Sequence, residues 1–240
     1  MPPTLPPAID KTTDPATTLA RIANNSSVMV GGFGSPGTPF TLLAALLQRA
    51  PHGLTVIKND ANEQGIGVST LMEAGCARRF VVSHMGLNSA VIEMMNQGEL
   101  EVEMHPQGLL AEKIRAAGAG LTGILTDIGL DTILREKRQT MEFQGQTCIV
   151  EPSLRADAAL IHAARADRWG NLVFEKTARN FNPLMATAAD LVIVEALEIV
   201  DIGELDPDHI HLPGAFVDHV VPADTTLSDY GVLKHHVAQT

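Results

Sequence analysis

The 240-residue chain reads as an α/β protein, a largely parallel sheet with helices on both faces plus a small β-hairpin region. Three observations lead there. Short apolar runs at 28–30, 54–57 and 80–82 alternate with stretches of helical spacing about ten residues long, the rhythm of βαβ units. The run QTMEFQGQTCIV at 139–150 gives two short strands about a turn at Gly145, a hairpin laid on the main body. No linker rich in Pro, Gly or Ser interrupts the chain and no repeat divides it. Residues 10–240 therefore read as a single domain behind a loose, proline-containing tail at 1–9.

Taken in order, Asp14 before Pro15 starts a helix expected to reach Ala23. Val28, Met29 and Val30 form a buried strand. The chain then passes Gly31, Gly32, Gly34 and Gly37, with Pro36 and Pro39 among them. It enters FTLLAALLQRA, where Leu42, Leu43, Leu46 and Leu47 have helical spacing. Thr38 is the expected N-cap and Pro39 the first helical residue. LTVIKND gives a second strand with a polar end at Lys58, Asn59 and Asp60. A glycine-containing loop at 61–68 and a short helix around Leu71 lead to FVVSH, a third strand. Asn88 or Ser89 caps a helix through Met94 and Met95. ELEVEM is a brief alternating strand, and a helix follows from about Leu109 to Ala117. Further on, ADAALIHAARADRWGNLVF supplies a buried strand, a turn at Trp169 and Gly170 and a return strand. Residues 180–189 read as helical, and ADLVIVEALEIV opens on another buried strand.

The strand–glycine turn–helix at 28–47 is built to hold something. Glycine takes positive φ and lets a ligand approach the backbone. The N–H groups at the start of the following helix favour an anion or a developing negative charge. Gly32, Gly34 and Gly37 also satisfy the dinucleotide fingerprint G-x-G-x-x-G. Asp60 lies about twenty residues further on, where a ribose-binding acid belongs. Against that reading, Pro36 removes one N–H from the loop and Pro39 sits where the fingerprint helix should already run.

Composition narrows the partners. A net charge of −11 argues against nucleic acid and anionic membranes, so an anionic ligand must be met locally. One Trp and one Tyr leave little for stacking on bases. No apolar run approaches the length of a membrane span, and MPPTLPPAIDK is not built as a signal peptide. Cys76 and Cys148 are too few for a disulfide framework or a metal knuckle, so a reducing, cytoplasmic setting is expected.

The run from Asn24 and Asn25 through Val28, Met29, Val30, Gly31, Gly32, Phe33, Gly37 and Pro39 resembles the signature of the alpha (A-type) chains of family I coenzyme A transferases, matching at every fixed position. Further blocks carry the same resemblance: GELEVEMHPQGLLAEKIRAAGAG at 98–120, ARNFNP at 178–183 and GELDPDHIHLPGAFVDHV at 203–220. SHMGLN at 83–88 is similar to the bacterial acetate and acetoacetate transferases. The mitochondrial succinyl-dependent enzymes tend to carry tyrosine where His84 stands and a second asparagine where Asp60 stands.

The resemblance implies a CoA-transferase-like fold and an exchange of coenzyme A between two carboxylic acids through a glutamyl thioester, with coenzyme A thioester as substrate and no bound cofactor or metal. It places the nucleophilic glutamate on a partner, the beta (B-type) chain of the enzyme, in a mixed oligomer of A2B2 type. The Glu-Asn-Gly string that would carry it is absent here, the nearest being Asn62-Glu63-Gln64-Gly65. It also implies substrate- and CoA-binding roles for Gly31, Gly32, Phe33, Gly34, Gly37, Asn59, Asp60, Gln107 and Gly108, with loop N–H groups offered to the thioester oxygen.

Other chemistry-bearing residues carry weaker signals. His209 and His211 alternate as on a strand, a spacing a metal could use, but no third ligand is in sight. Glu195, Glu198 and Asp201 can act as paired acids or can end a buried strand and cap the next segment. His235 and His236 read as solvated tail.

Overall fold

The computed structural model describes residues 10–226, so the N-terminal tail and His235 and His236 lie outside the described residues. The first half runs α1 (Pro15–Leu19), β1 (Ser27–Val30), α2 (Phe40–Arg49), β2 (Leu54–Ile57), α3 (Val68–Glu73), β3 (Ala77–Val82), α4 (Ser89–Gln97), β4 (Glu101–Met104) and α5 (Gln107–Gly118). The second half runs β5 (Gly123–Thr126), β6 (Thr140–Phe143), β7 (Gln146–Pro152), β8 (Ala156–Asp167), β9 (Leu172–Val173), α6 (Asn182–Thr187), β10 (Ala189–Val200) and β11 (His219–Pro222).

Seven strands form a parallel sheet in the order β11-β10-β8-β1-β2-β3-β4, and the short β9 pairs antiparallel with β8. Alternate side chains of the central strands enter two different cores. Val28 and Val30 meet α1, α2, α3 and α4 on one face, while Met29 meets α5 and α6 on the other. This explains why the central strands read as continuous apolar runs: both faces are covered. Leu42, Leu43 and Leu46 of α2 are at most 2% exposed, each contributing about 1.5–3 kcal/mol of burial. The strands run outward from β1 in both directions, through β2 to β4 and through β8 to β11. The loop after β1 therefore sits where the order reverses, the usual place for a ligand in an open parallel sheet.

The expected hairpin is present as β6 and β7 about Gly145 at φ 78°. β5 adds a third strand to it. Residues 123–126, GILT, are half-exposed along most of their length and had given no periodic signal. Two other expectations change. α1 ends at Leu19 rather than Ala23, because tight turns from Arg21 N–H to Thr18 O and from Ile22 N–H to Leu19 O carry Ile22 into the core. His209 is not on a strand: Pro207–His209 is a 3-10 turn capped by Asp206. His209 Nδ1 lies 2.7 Å from Asp206, and His211 Nδ1 accepts from Phe174 N–H at 2.9 Å. Among the described residues, no group of three or more His, Cys, Asp or Glu is placed to hold a metal. No helix among them is long and apolar enough to cross a membrane.

Candidate active site

The C-terminal ends of β1, β2, β3 and β4 surround a cavity of about 490 Å³. The loop after β1 supplies Phe33, Gly34 and Ser35, and the segment after β2 supplies Asn59 to Glu63. Ser83, His84, Met85 and Leu87 come from the end of β3, and Gln107 opens α5. Phe33 and Leu87 are 52% and 76% exposed and stand at the mouth. The floor is polar and closely bonded.

Asp60 organises that floor. Its Oδ2 accepts from Gly34 N–H at 2.7 Å and from Asn59 Nδ2 at 3.1 Å. Its Oδ1 accepts from Asn62 N–H at 3.0 Å and from the Lys58 ammonium at 3.2 Å. Lys58 is fully buried. Burial opposes the charge of both groups. For Lys58 it pulls the ammonium below the usual lysine range, with Asp60 acting against it. For Asp60 the burial effect is outweighed by the Lys58 cation and the N–H donors, which hold the carboxyl below the usual carboxylate range. The Gly34 carbonyl in turn accepts from Thr38 Oγ1 at 2.7 Å, Asn62 Nδ2 at 2.9 Å and Lys58 Nζ at 3.4 Å. Both polar ends of Gly34 are thus fixed, at a φ of 61° that favours glycine.

Around the cavity the fold gathers Phe33, Gly34, Asn59, Asp60 and Gln107, with His84 beside them. Gly31, Gly32, Gly37 and Gly108 lie outside its lining. A Cβ on Gly31 would come within 1.9 Å of Asn182 Oδ1, and one on Gly37 within 2.4 Å of the Ala178 carbonyl. A Cβ on Gly32 would meet Thr38 Oγ1 at 2.2 Å. These three glycines let the loop pack upon itself and upon the segment that leads into the first turn of α6. Asn180 and Asn182 complete that contact from about 150 residues away. Asn180 Oδ1 accepts from Gly32 N–H at 3.2 Å and its Nδ2 donates to Pro36 O at 2.9 Å. Asn182 Nδ2 donates to Gly37 O at 3.1 Å.

The helix end is also occupied from within. Thr38 does not cap α2; Pro39 holds the cap position without a side-chain bond, and the Thr38 hydroxyl turns to Gly34. The Leu42 N–H donates at 3.1 Å to Glu195 Oε2, a buried carboxylate on β10 whose other oxygen lies 2.9 Å from His162 Nδ1. That carboxylate meets the positive end of α2 and leaves less of it for a ligand. Four loop N–H groups are likewise engaged inside the chain: Gly31 to Leu160 O, Gly32 to Asn180, Phe33 to Pro36 O and Gly34 to Asp60.

Lys58, Asn62 and Ser83 join this network although the sequence assigns them no site role. The single Ser83 hydroxyl proton is shared between Asn59 O at 2.7 Å and Asn59 Oδ1 at 2.9 Å, so the Asn59 amide is met at both ends, by Ser83 and by Asp60. A lysine at the end of an otherwise apolar strand was the available signal for Lys58.

The arrangement is a half-open pocket of acyl size, with both polar ends of Gly34 bonded within the chain. A ribose-binding acid would need a free carboxylate, whereas both Asp60 oxygens are bonded within the chain. The family model for coenzyme A transferase matches residues 12–223. The chain is 47% identical to the alpha subunit of the acetate CoA-transferase of Escherichia coli K12 over 195 residues, 81% of this chain and 89% of that one. It is 46% identical over 200 residues to the A-type chain of the succinyl-CoA:3-ketoacid coenzyme A transferase of Xanthomonas campestris B100, 83% of each chain. Among solved structures, an acyl-CoA transferase from E. coli O157:H7, in a thioester complex with CoA, superposes with a TM-score of 0.82 at 22% identity. That match covers 94% of this chain and 52% of the other, so the chain spans about half the length of that transferase. The chain belongs to the coenzyme A transferase family.

Proposed function

We propose that the chain is the alpha subunit of a heteromeric CoA-transferase. In this reading it moves coenzyme A between a short-chain acyl-CoA or 3-oxoacyl-CoA and a carboxylic acid. The partner, a beta subunit, carries the nucleophilic glutamate, and the two chains assemble as A2B2 without a bound cofactor. In this chemistry the glutamate carboxylate attacks the thioester carbonyl and expels the CoA thiolate, leaving an acyl–glutamyl anhydride. The thiolate then attacks the glutamyl carbonyl and the first acid departs. The acceptor acid reverses both steps and leaves with CoA.

The observation that carries the reading is the half-open pocket itself. It has acyl dimensions, a fixed glycine wall and a mouth rimmed by exposed Phe33 and Leu87. In this reading the chain supplies the wall and floor that orient the acyl group, and Gln107, which lines the cavity at the start of α5, contacts the reacting centre. Asp60, Lys58 and Asn62 keep Gly34 in one conformation, so little reorganisation is required on binding.

Co-expression of the chain with a CoA-transferase beta subunit, followed by a CoA-exchange assay, tests the reading. Exchange should appear only in the mixed assembly. Full exchange from this chain alone would contradict it, and so would a mixed assembly inert toward every short-chain thioester.

A further inference from the structure

The charge of the cavity is one-sided. Its lining holds two carboxylates, Asp60 and Glu63, and His84 is the one lining side chain able to carry positive charge. The nearest fixed cation, Lys58, is fully buried behind the floor and turned to Asp60 Oδ1 and Gly34 O. It neutralises Asp60 but presents no charge to an occupant. Glu63 differs: it is half-exposed, and its carboxylate has no ion-pair partner among the described residues. Between these groups the walls are apolar, formed by Phe33, Ala61, Met85 and Leu87.

We propose that the cavity accepts an acyl chain ending in an uncharged group and rejects one ending in a second carboxylate, with Glu63 as the specificity-determining residue. This rests on the transferase reading above. A carboxylate entering a half-enclosed apolar space loses solvation and needs a cation or several donors to replace it. On the floor, the N–H groups of Gly34 and Asn62 and one amide N–H of Asn59 go to Asp60, and one amide N–H of Asn62 goes to Gly34, while the uncompensated charge on the wall has the same sign as an incoming carboxylate. A methyl or keto end meets Ala61, Met85 and Leu87 without that cost.

Butyryl-CoA and succinyl-CoA have acyl chains of equal length, and they differ in a terminal methyl against a carboxylate. With acetate as acceptor, kcat/KM of the co-expressed mixed assembly should be roughly tenfold or more lower for succinyl-CoA, equivalent to about 1.4 kcal/mol. Glu63→Gln should narrow that ratio and Glu63→Lys should narrow it further or reverse it. Size-exclusion chromatography checks that each variant assembles. Equal or better use of succinyl-CoA by the unmodified assembly would overturn the inference while leaving the transferase reading intact. An unchanged ratio in both assembled variants would also overturn it. So would loss of exchange with both donors in an assembled Glu63→Gln, which would make Glu63 part of the reacting machinery. Absence of exchange with either donor in the unmodified assembly would remove the transferase reading, and this inference with it.

Discussion

Replacing Lys58 by methionine in the mixed assembly removes a buried ammonium and keeps most of the side-chain volume. Its Nζ lies 3.2 Å from Asp60 Oδ1 and 3.4 Å from Gly34 O, with no exposed surface. Taking one partner from a buried ion pair costs about 3–5 kcal/mol. Asp60 would retain donors from Gly34, Asn59 and Asn62, so the low end applies, about 3 kcal/mol. For a chain of this size that is a fall in Tm of roughly 6–12 °C. Asp60→Asn alone should cost a comparable amount, because it leaves the ammonium buried and unpaired. Lys58→Met with Asp60→Asn should cost no more than either single change, since both buried charges are then gone. Thermal unfolding of the three variants by calorimetry measures the coupling. Acid adds a second check. The Asp60 carboxyl is held below its ordinary value of 3.8 by Lys58 and the N–H donors, against the effect of burial. Its contribution is therefore present above about pH 3.8 and lost as pH falls through the lower folded value. The Lys58→Met penalty should shrink over the same range. Strictly additive costs, or a Tm unchanged by Lys58→Met, would refute the pairing argument.

Three further outcomes rest on the same geometry. Gly37→Val should prevent folding or assembly, because its Cβ would lie 2.4 Å from the Ala178 carbonyl. Gly34→Ala has only Pro36 Cδ nearby, at 3.9 Å; it should assemble with a loss of about 1–2 kcal/mol from positive φ and show its effect on turnover. Expression yield and exchange rate separate the two glycines. Gln107→Ala should lower kcat about 10- to 100-fold, or about 1.4–2.8 kcal/mol, with unchanged assembly by size-exclusion chromatography. The Glu103 carboxyl is held down at about 2 by the hydrogen bond from His105, with Arg79 also contributing. Its stabilisation is present above pH 4.5 and lost as pH falls toward 2. The stability gap between the unmodified assembly and Glu103→Gln, tracked by acid titration of unfolding, should close over that interval.

The strand, glycine turn and helix from Ser27 to Arg49 were legible because both halves carry strong periodicity and lie close in sequence. The same holds for the Asn88 cap, whose side chain accepts from Val91 N–H at 3.0 Å as expected. What the sequence could not show was which surface each glycine faces. Gly34 borders the cavity, whereas Gly31 and Gly37 pack on Asn182, a contact made only in the folded sheet. The occupied end of α2 was hidden for the same reason: Glu195 lies 153 residues from Leu42 in the chain. Lys58 and Asp60 were visible as the polar end of a strand. Their pairing behind the floor depends on the loop from β1 folding over them, and no local pattern encodes that. His209 and His211 misled because Pro207 and the Asp206 cap turn the backbone where alternation alone suggests a strand.

The most direct test of the central claim is the location of the covalent intermediate. The assembly is charged with acyl-CoA in excess and treated with borohydride, which reduces a glutamyl thioester, and the modified peptide is located by mass spectrometry. The label should fall on a glutamate of the partner, and this chain purified alone should take up none. A reduced glutamate anywhere in this chain, with Glu63 at the cavity wall the first to inspect, would contradict the division of labour between the two subunits.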